Sequence, residues 1–186
     1  MFTYKPKKSS EIYDIRIAHR GYHLNYPENS IGAYVEAINN RYAIELDVRI
    51  TKDGKLICIH DNSTKRLLGI KGKISNMNYS QVHKYVIKKS NENVPLLSEV
   101  LHIINGKTVV LIEIKGIFTD YFKVKLLEIL KEYNGVLYFH AQNLVSYFRL
   151  KKVFGNKVFW VLNPFRRRFN FIKDKYYKTL LVDNAN

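Results

Sequence analysis

The run Ala43-Ile44-Glu45-Leu46-Asp47-Val48-Arg49-Ile50 leads through Thr51-Lys52-Asp53-Gly54-Lys55 into Leu56-Ile57-Cys58-Ile59-His60-Asp61, and its reading decides the fold. The first part alternates strictly, with Ile44, Leu46 and Val48 on one parity and Glu45 and Asp47 on the other. Residues two apart on a strand share a face, so one face is aliphatic and the other carries two carboxylates. In a parallel barrel strand the outer face packs on helices and the inner face on the core. Two carboxylates buried side by side cost several kcal/mol unless something cationic meets them. A divalent ion is the natural counter-charge, and hard oxygen ligands suit Mg²⁺ or Ca²⁺. Leu111-Ile112-Glu113-Ile114-Lys115 repeats the pattern, with Lys115 on the face of Glu113. Two readings stand on these residues alone: a metal site, or a structural ion-pair cluster of Glu45, Asp47, Glu113 and Lys115.

Only about seven residues, Arg49 to Lys55, connect the two apolar runs, whereas a parallel crossover usually takes a dozen or more. Asp53-Gly54 is also a hairpin-turn dipeptide. A symmetric hairpin about that pair sets Asp47 opposite His60, and a parallel pair with an extended return sets both at one strand end. Either way the two side chains converge.

Working outward, further β-rich runs are Asp14 to Ala18, Thr108 to Lys115, Val136 to Phe139, Val158 to Leu162 and Thr179 to Val182. Helical patterns lie between most of them. Ser30 to Asn40 has Ile31, Tyr34, Val35 and Ile38 at helical spacing, with Pro27, Asn29 and Ser30 as start signals. Ser98 to Ile104, Thr119 to Tyr133 and Gln142 to Phe154 are the others. Alternating strand and helix gives an α/β architecture with a mainly parallel sheet. No linker or internal repeat divides residues 1–186, so one domain is expected.

His19 and His60 each close an apolar run, and each has a charged neighbour, Arg20 and Asp61. Imidazoles titrate near working pH, so the pair can serve as acid and base or as satisfied strand-end residues. Arg20 offers the planar fork that suits a phosphate. The net charge of +15 points to an anionic partner, whether phosphorylated small molecule, nucleic acid or acidic membrane. The single cysteine, Cys58, lies in an apolar run and reads as a buried small hydrophobe. Met1 to Lys8 is basic without an apolar stretch behind it, and no run approaches a membrane span. A soluble, cytoplasmic protein is expected.

Ala18-His19-Arg20-Gly21 followed by Pro27-Glu28-Asn29-Ser30 resembles the opening signature of the glycerophosphodiester phosphodiesterase family. Ile44 to Val48, Thr51-Lys52-Asp53-Gly54 and His60-Asp61 are similar to its central block in order and spacing. Pro95-Leu96-Leu97-Ser98-Glu99-Val100-Leu101 and Ile112-Glu113-Ile114-Lys115 resemble two later motifs. The resemblance implies a TIM-type (β/α) barrel, with Glu45, Asp47 and Glu113 as ligands of a divalent metal. It implies His19 and His60 as the acid/base pair, Arg20 and Lys115 on the phosphate, and Glu28 beside the substrate or orienting Arg20. It implies hydrolysis of a glycerophosphodiester to an alcohol and glycerol phosphate, with a glycerol hydroxyl attacking first and water opening a cyclic phosphate. The expected partner is that small molecule rather than nucleic acid. Sphingomyelinase D-like phospholipase chemistry, or non-catalytic anion binding on a decayed barrel, are the alternatives.

The resemblance weakens past Lys115. His140-Ala141-Gln142-Asn143 stands where relatives carry a Ser-Phe pair, and His140 is read as structural or as touching substrate. Seven strand candidates imply a C-terminally shortened barrel with open edges beside the first and seventh strands. A covering segment or a homo-oligomer is expected to close them. Phe165 to Lys173 mixes aromatic and basic residues, as a peripheral membrane contact or a solvated face does. The Gly69 to Lys73 loop is placed to reach over substrate.

Overall fold

A computed structural model describes residues 16–159 together with the strand Leu181–Val182. Its elements follow the sequence pattern closely at the N-terminal end. Strand β1 is Ile17–Ala18, helix α1 Ile31–Asn39, strand β2 Ala43–Ile50 and strand β3 Leu56–Cys58. Short helices α2, Lys65–Leu68, and α3, Tyr79–Val82, precede α4, Leu97–Ile104. Then come β4 (Val110–Ile114), α5 (Asp120–Leu130), β5 (Leu137–Ala141), α6 (Leu144–Phe154), β6 (Val158–Phe159) and β7 (Leu181–Val182). Side chains cap the longer helices where the sequence offers them. Ser30 Oγ accepts from Ala33 N, Thr119 Oγ1 from Phe122 N and Asn143 Oδ1 from Ser146 N. Among the described residues no helix is long and apolar enough to cross a membrane.

The sheet has seven strands in the order β6-β5-β4-β2-β1-β7, with β3 attached to β2 off that path. All pairings along the path are parallel, and β3 alone runs antiparallel. This is the α/β arrangement of a (β/α) barrel, strands inside and helices outside. The hairpin alternative is therefore the real one, but its register differs by one from the symmetric expectation. Val48 faces Cys58, and Ile59 N–H donates to Asp47 O, so Ile59 rather than His60 stands opposite Asp47. The cause is the turn. Thr51 N–H reaches Lys55 O, and a three-residue connection ends on Gly54 at φ 79°, a left-handed residue that adds one position.

The first strand carries no open edge, contrary to expectation. Residues Ile17 and Ala18 pair with Leu181 and Val182 on one side and with Ala43 and Ile44 on the other. Among the described residues the outer edges belong to β6 and β7. The Phe165 to Lys173 segment lies outside the described residues.

Parity sorts the core. Ile44, Leu46, Val48, Ile112, Ile114, Phe139 and Ala141 face outward into one apolar cluster with Tyr34, Leu97, Val100, Phe122 and Leu126 from the helices. Strand β3 serves two clusters at once. Leu56 and Cys58 join this main cluster, while Ile57 turns away with Ile59 into a second one holding Leu67, Leu68, Ile74, Val82, Ile87 and Val94. The segment between β3 and α4 thus folds over the outer arm of the hairpin on a core of its own. Replacing Ile112 with Ala should lower global stability by about 2–5 kcal/mol. Ile74→Ala, by contrast, should open residues 57–94 first, measured by native-state hydrogen exchange. Equal loss of protection in β4 and β5 would show that the two clusters act as one.

Candidate metal and phosphate site

The opposite parity builds the site. Asp47 pairs in register with Glu113, and Glu113 with His140, so three ionisable side chains form one row across β2, β4 and β5. Glu45 lies one inward step before Asp47, and Lys115 one after Glu113. Glu45, Asp47, Glu113, Lys115 and His140 are all buried. One oxygen from each of Glu45, Asp47 and Glu113 lies within 4.8 Å of the others.

Lys115 Nζ sits between two of them, 2.6 Å from Glu113 Oε1 and 3.0 Å from Asp47 Oδ1. Arg20 approaches from the loop after β1. Its backbone N–H donates to Glu45 Oε2 at 2.9 Å, and its Nε lies 3.3 Å from Asp47 Oδ2. Three carboxylates thus meet two permanent cations, and Arg20 is shared with Glu28 through an Nη1 to Oε1 bond of 3.0 Å. The balance falls short of neutral. Burial, with Asp47 and Glu113 close by, pushes the Glu45 carboxyl well above its usual range. Burial would raise Glu113 too, but His140 and Lys115 outweigh it and hold that carboxyl at about 2.

The loop backbone is bent to deliver these contacts. Arg20 and Asn29 adopt left-handed φ values of 58° and 56°, each costing about 1 kcal/mol for a non-glycine residue. Gly21 follows at φ 79°, where a Cβ would meet that of Ala33 at 2.8 Å. Only glycine lets the loop lie this close to α1. Asn29, a helix-start signal within the Pro27 to Ser30 signature, does more than open α1. Its Nδ2 donates to Asp47 Oδ2 at 2.8 Å, its Oδ1 accepts from Asp47 N at 3.1 Å, and the buried Tyr34 hydroxyl donates to that same oxygen at 2.8 Å. Asp47 is thereby locked in one orientation.

His19 Nε2 lies 3.9 Å from Glu45 Oε2. His60 follows Ile59, the residue bonded to Asp47, and its Nδ1 is 2.7 Å from Asp61 Oδ1. Arg66 then bonds both Asp61 and Glu28, which links His60 to the Arg20 side of the site. Contacts therefore connect all eight residues singled out in the sequence. Arg66 and the orienting role of Asn29 were missed, and no periodicity marks Arg66. His140 lies inside the row, with Nδ1 3.5 Å from Glu113 Oε2. The Gly69 to Lys73 loop is instead tied to its own segment, where the Thr64 hydroxyl donates to Ile70 O at 2.8 Å. Glu99 accepts from Leu96 N at 2.8 Å and so caps α4.

The trio fits a divalent cation. Glu45 Oε1 is buried and makes no hydrogen bond among the described residues, and the donors are all hard oxygens.

The model of the glycerophosphoryl diester phosphodiesterase family matches residues 19–154. A glycerophosphodiester phosphodiesterase from Caldanaerobacter subterraneus subsp. tengcongensis is 38% identical over 128 residues, covering 63% of this chain and 53% of that protein. One from Bacillus altitudinis is 35% identical over 105 residues, covering 53% and 43%. The chain thus spans about half the length of these curated relatives. The crystal structure of glycerophosphodiester phosphodiesterase from Thermotoga maritima superimposes with a TM-score of 0.67 at 29% identity, over 81% of this chain and 63% of that one. With the matched region containing every residue of the carboxylate row and both histidine loops, the chain belongs to the glycerophosphoryl diester phosphodiesterase family.

Proposed function

We propose that this site hydrolyses glycerophosphodiesters to an alcohol and glycerol phosphate with the help of a divalent cation. The observation that carries the reading is the buried trio of Glu45, Asp47 and Glu113, short of counter-charge, with Lys115 Nζ between Asp47 and Glu113 and Arg20 beside Asp47. Glu45, Asp47 and Glu113 would hold Mg²⁺ or Ca²⁺. Bound there, the ion would supply charge stabilisation for the phosphoryl oxygens.

The remaining steps belong to the chain's own side chains. Arg20 and Lys115 present five and three donors to the phosphate, the first as a planar fork and the second as a point charge. Glu28 keeps the Arg20 guanidinium in place through its bond to Nη1. The Asp61 carboxylate, held down at about 2 by Arg66 and His60, fixes His60 through Nδ1. Nε2 of His60 is then the ring nitrogen left for proton transfer. One histidine of the His19 and His60 pair takes the proton of the attacking hydroxyl. The other gives a proton to the leaving alcohol oxygen, leaving a cyclic phosphate that water then opens to glycerol phosphate with the two histidine roles exchanged.

Incubated with glycerophosphocholine, glycerophosphoethanolamine or glycerophosphoglycerol, the protein should release glycerol phosphate in the presence of Mg²⁺ or Ca²⁺ and stop when chelator is added. No metal-dependent hydrolysis of any of the three overturns the proposal in favour of simple anion binding. His19→Ala and Glu45→Gln should each lower kcat by about 10²–10⁴-fold while circular dichroism stays native. Cation at 100 times its Kd should raise wild-type stability by about 2.7 kcal/mol. Glu45→Gln should lose most of that rise, and an undiminished rise would remove Glu45 from the ligand set.

A further inference from the structure

Arg66 lies on α2, beside two residues of the second apolar cluster. Its neighbours Leu67 and Leu68 are buried in the second cluster, which turns the Arg66 side chain towards the site, where it remains 48% exposed. Nη1 and Nη2 donate to the two oxygens of Glu28, each at 2.7 Å, while Nε donates to Asp61 Oδ2 at 2.5 Å. Both carboxylates are already engaged on their far sides. Glu28 Oε1 also accepts from Arg20 Nη1, and Asp61 Oδ1 pairs with His60 Nδ1. One planar cation therefore spans the two halves of the site, from Asp47 and Arg20 through Glu28 to Asp61 and His60.

Exposed ion pairs are ordinarily weak because long side chains lose entropy and water screens them. A fork that uses two edges of one guanidinium differs, because it fixes both the distance and the mutual angle of its partners. Without the cation, Glu28 and Asp61 would face each other as like charges. Arg20 and His60 would keep their direct partners but lose the element that sets one relative to the other.

We propose that Arg66 is a positioning residue which, acting through Glu28 and Asp61, sets Arg20 and His60 in register for the reaction and makes the second cluster part of the catalytic apparatus. The inference rests on the phosphodiesterase reading above and adds to it a residue that does not itself touch substrate. Folding of the small core packed beside the site is then what delivers the guanidinium.

The test compares Arg66→Met and Arg66→Lys with the full wild-type chain. Displacement of a reacting group by about 1 Å costs on the order of 10²-fold, so Arg66→Met should lose kcat on that scale with KM shifted less than about threefold. Arg66→Lys keeps the charge without the fork and should recover only part of the loss. In protein labelled with ¹⁵N-histidine and free of substrate, Arg66→Met should move or broaden the ring signals of His60 selectively among the six histidines. A kcat within about threefold of wild type, a loss carried in KM, or full recovery by lysine overturns the proposal. If wild type hydrolyses no phosphodiester, the functional reading fails by itself. The positioning role is then decided by the His60 signals, whose constancy in Arg66→Met overturns it.

Discussion

Three carboxylates, buried together on the inner face of two adjacent parallel strands, impose the constraint that the rest of the structure answers. The in-register pairing of Asp47 with Glu113 brings like charges together, and Glu45 adds a third. Burial and the two neighbouring carboxylates favour the neutral form of Glu45, and the cations and hydrogen-bond donors around the trio oppose that tendency. Lys115 is inserted between Glu113 and Asp47, Arg20 presents both backbone and guanidinium, and Asn29 binds Asp47 twice. Two non-glycine residues in left-handed conformation are the backbone cost of this arrangement. Such outlay at one point in a small protein is characteristic of sites that bind or react rather than of packing alone.

The scaffold keeps the polar centre rigid from outside. Aliphatic residues of β2, β4 and β5 lock against α1, α4 and α5, so the strand register, and with it the spacing of the carboxylates, is fixed by close packing. The antiparallel arm of β3 extends this logic away from the barrel. Its two faces feed two cores, and the second core returns Arg66 to the mouth of the site. The side chains of the candidate site are thus held from below by the parallel sheet and from the side by the folded segment that follows the hairpin.

Much of this was legible in the residues. The parity of Ile44-Glu45-Leu46-Asp47-Val48 gave both the buried outer face and the charged inner one, because a strand has only two faces. Ser30 marked a helix start because a side-chain oxygen there satisfies a free backbone N–H group, and Thr119 and Asn143 cap their helices in the same way. What was not legible depends on chain reversal in space. The hairpin register slipped by one because Gly54 takes a left-handed conformation that no dipeptide rule distinguished from a two-residue turn. Asn29 was hidden behind a competing role as helix-start signal, and its grip on Asp47 requires the loop to be bent back first. Arg66 lies 38 residues from Glu28, and their pairing follows only from how the second cluster folds.

The central claim, that the trio is a cation site and not a closed ion-pair cluster, is most directly tested by anomalous diffraction from crystals soaked in Mn²⁺. The account predicts a single strong peak within about 2.0–2.6 Å of carboxylate oxygens of Glu45, Asp47 and Glu113, with Lys115 displaced from between them or turned to the rim. A peak elsewhere, or none with Lys115 still bridging Asp47 and Glu113, would contradict it.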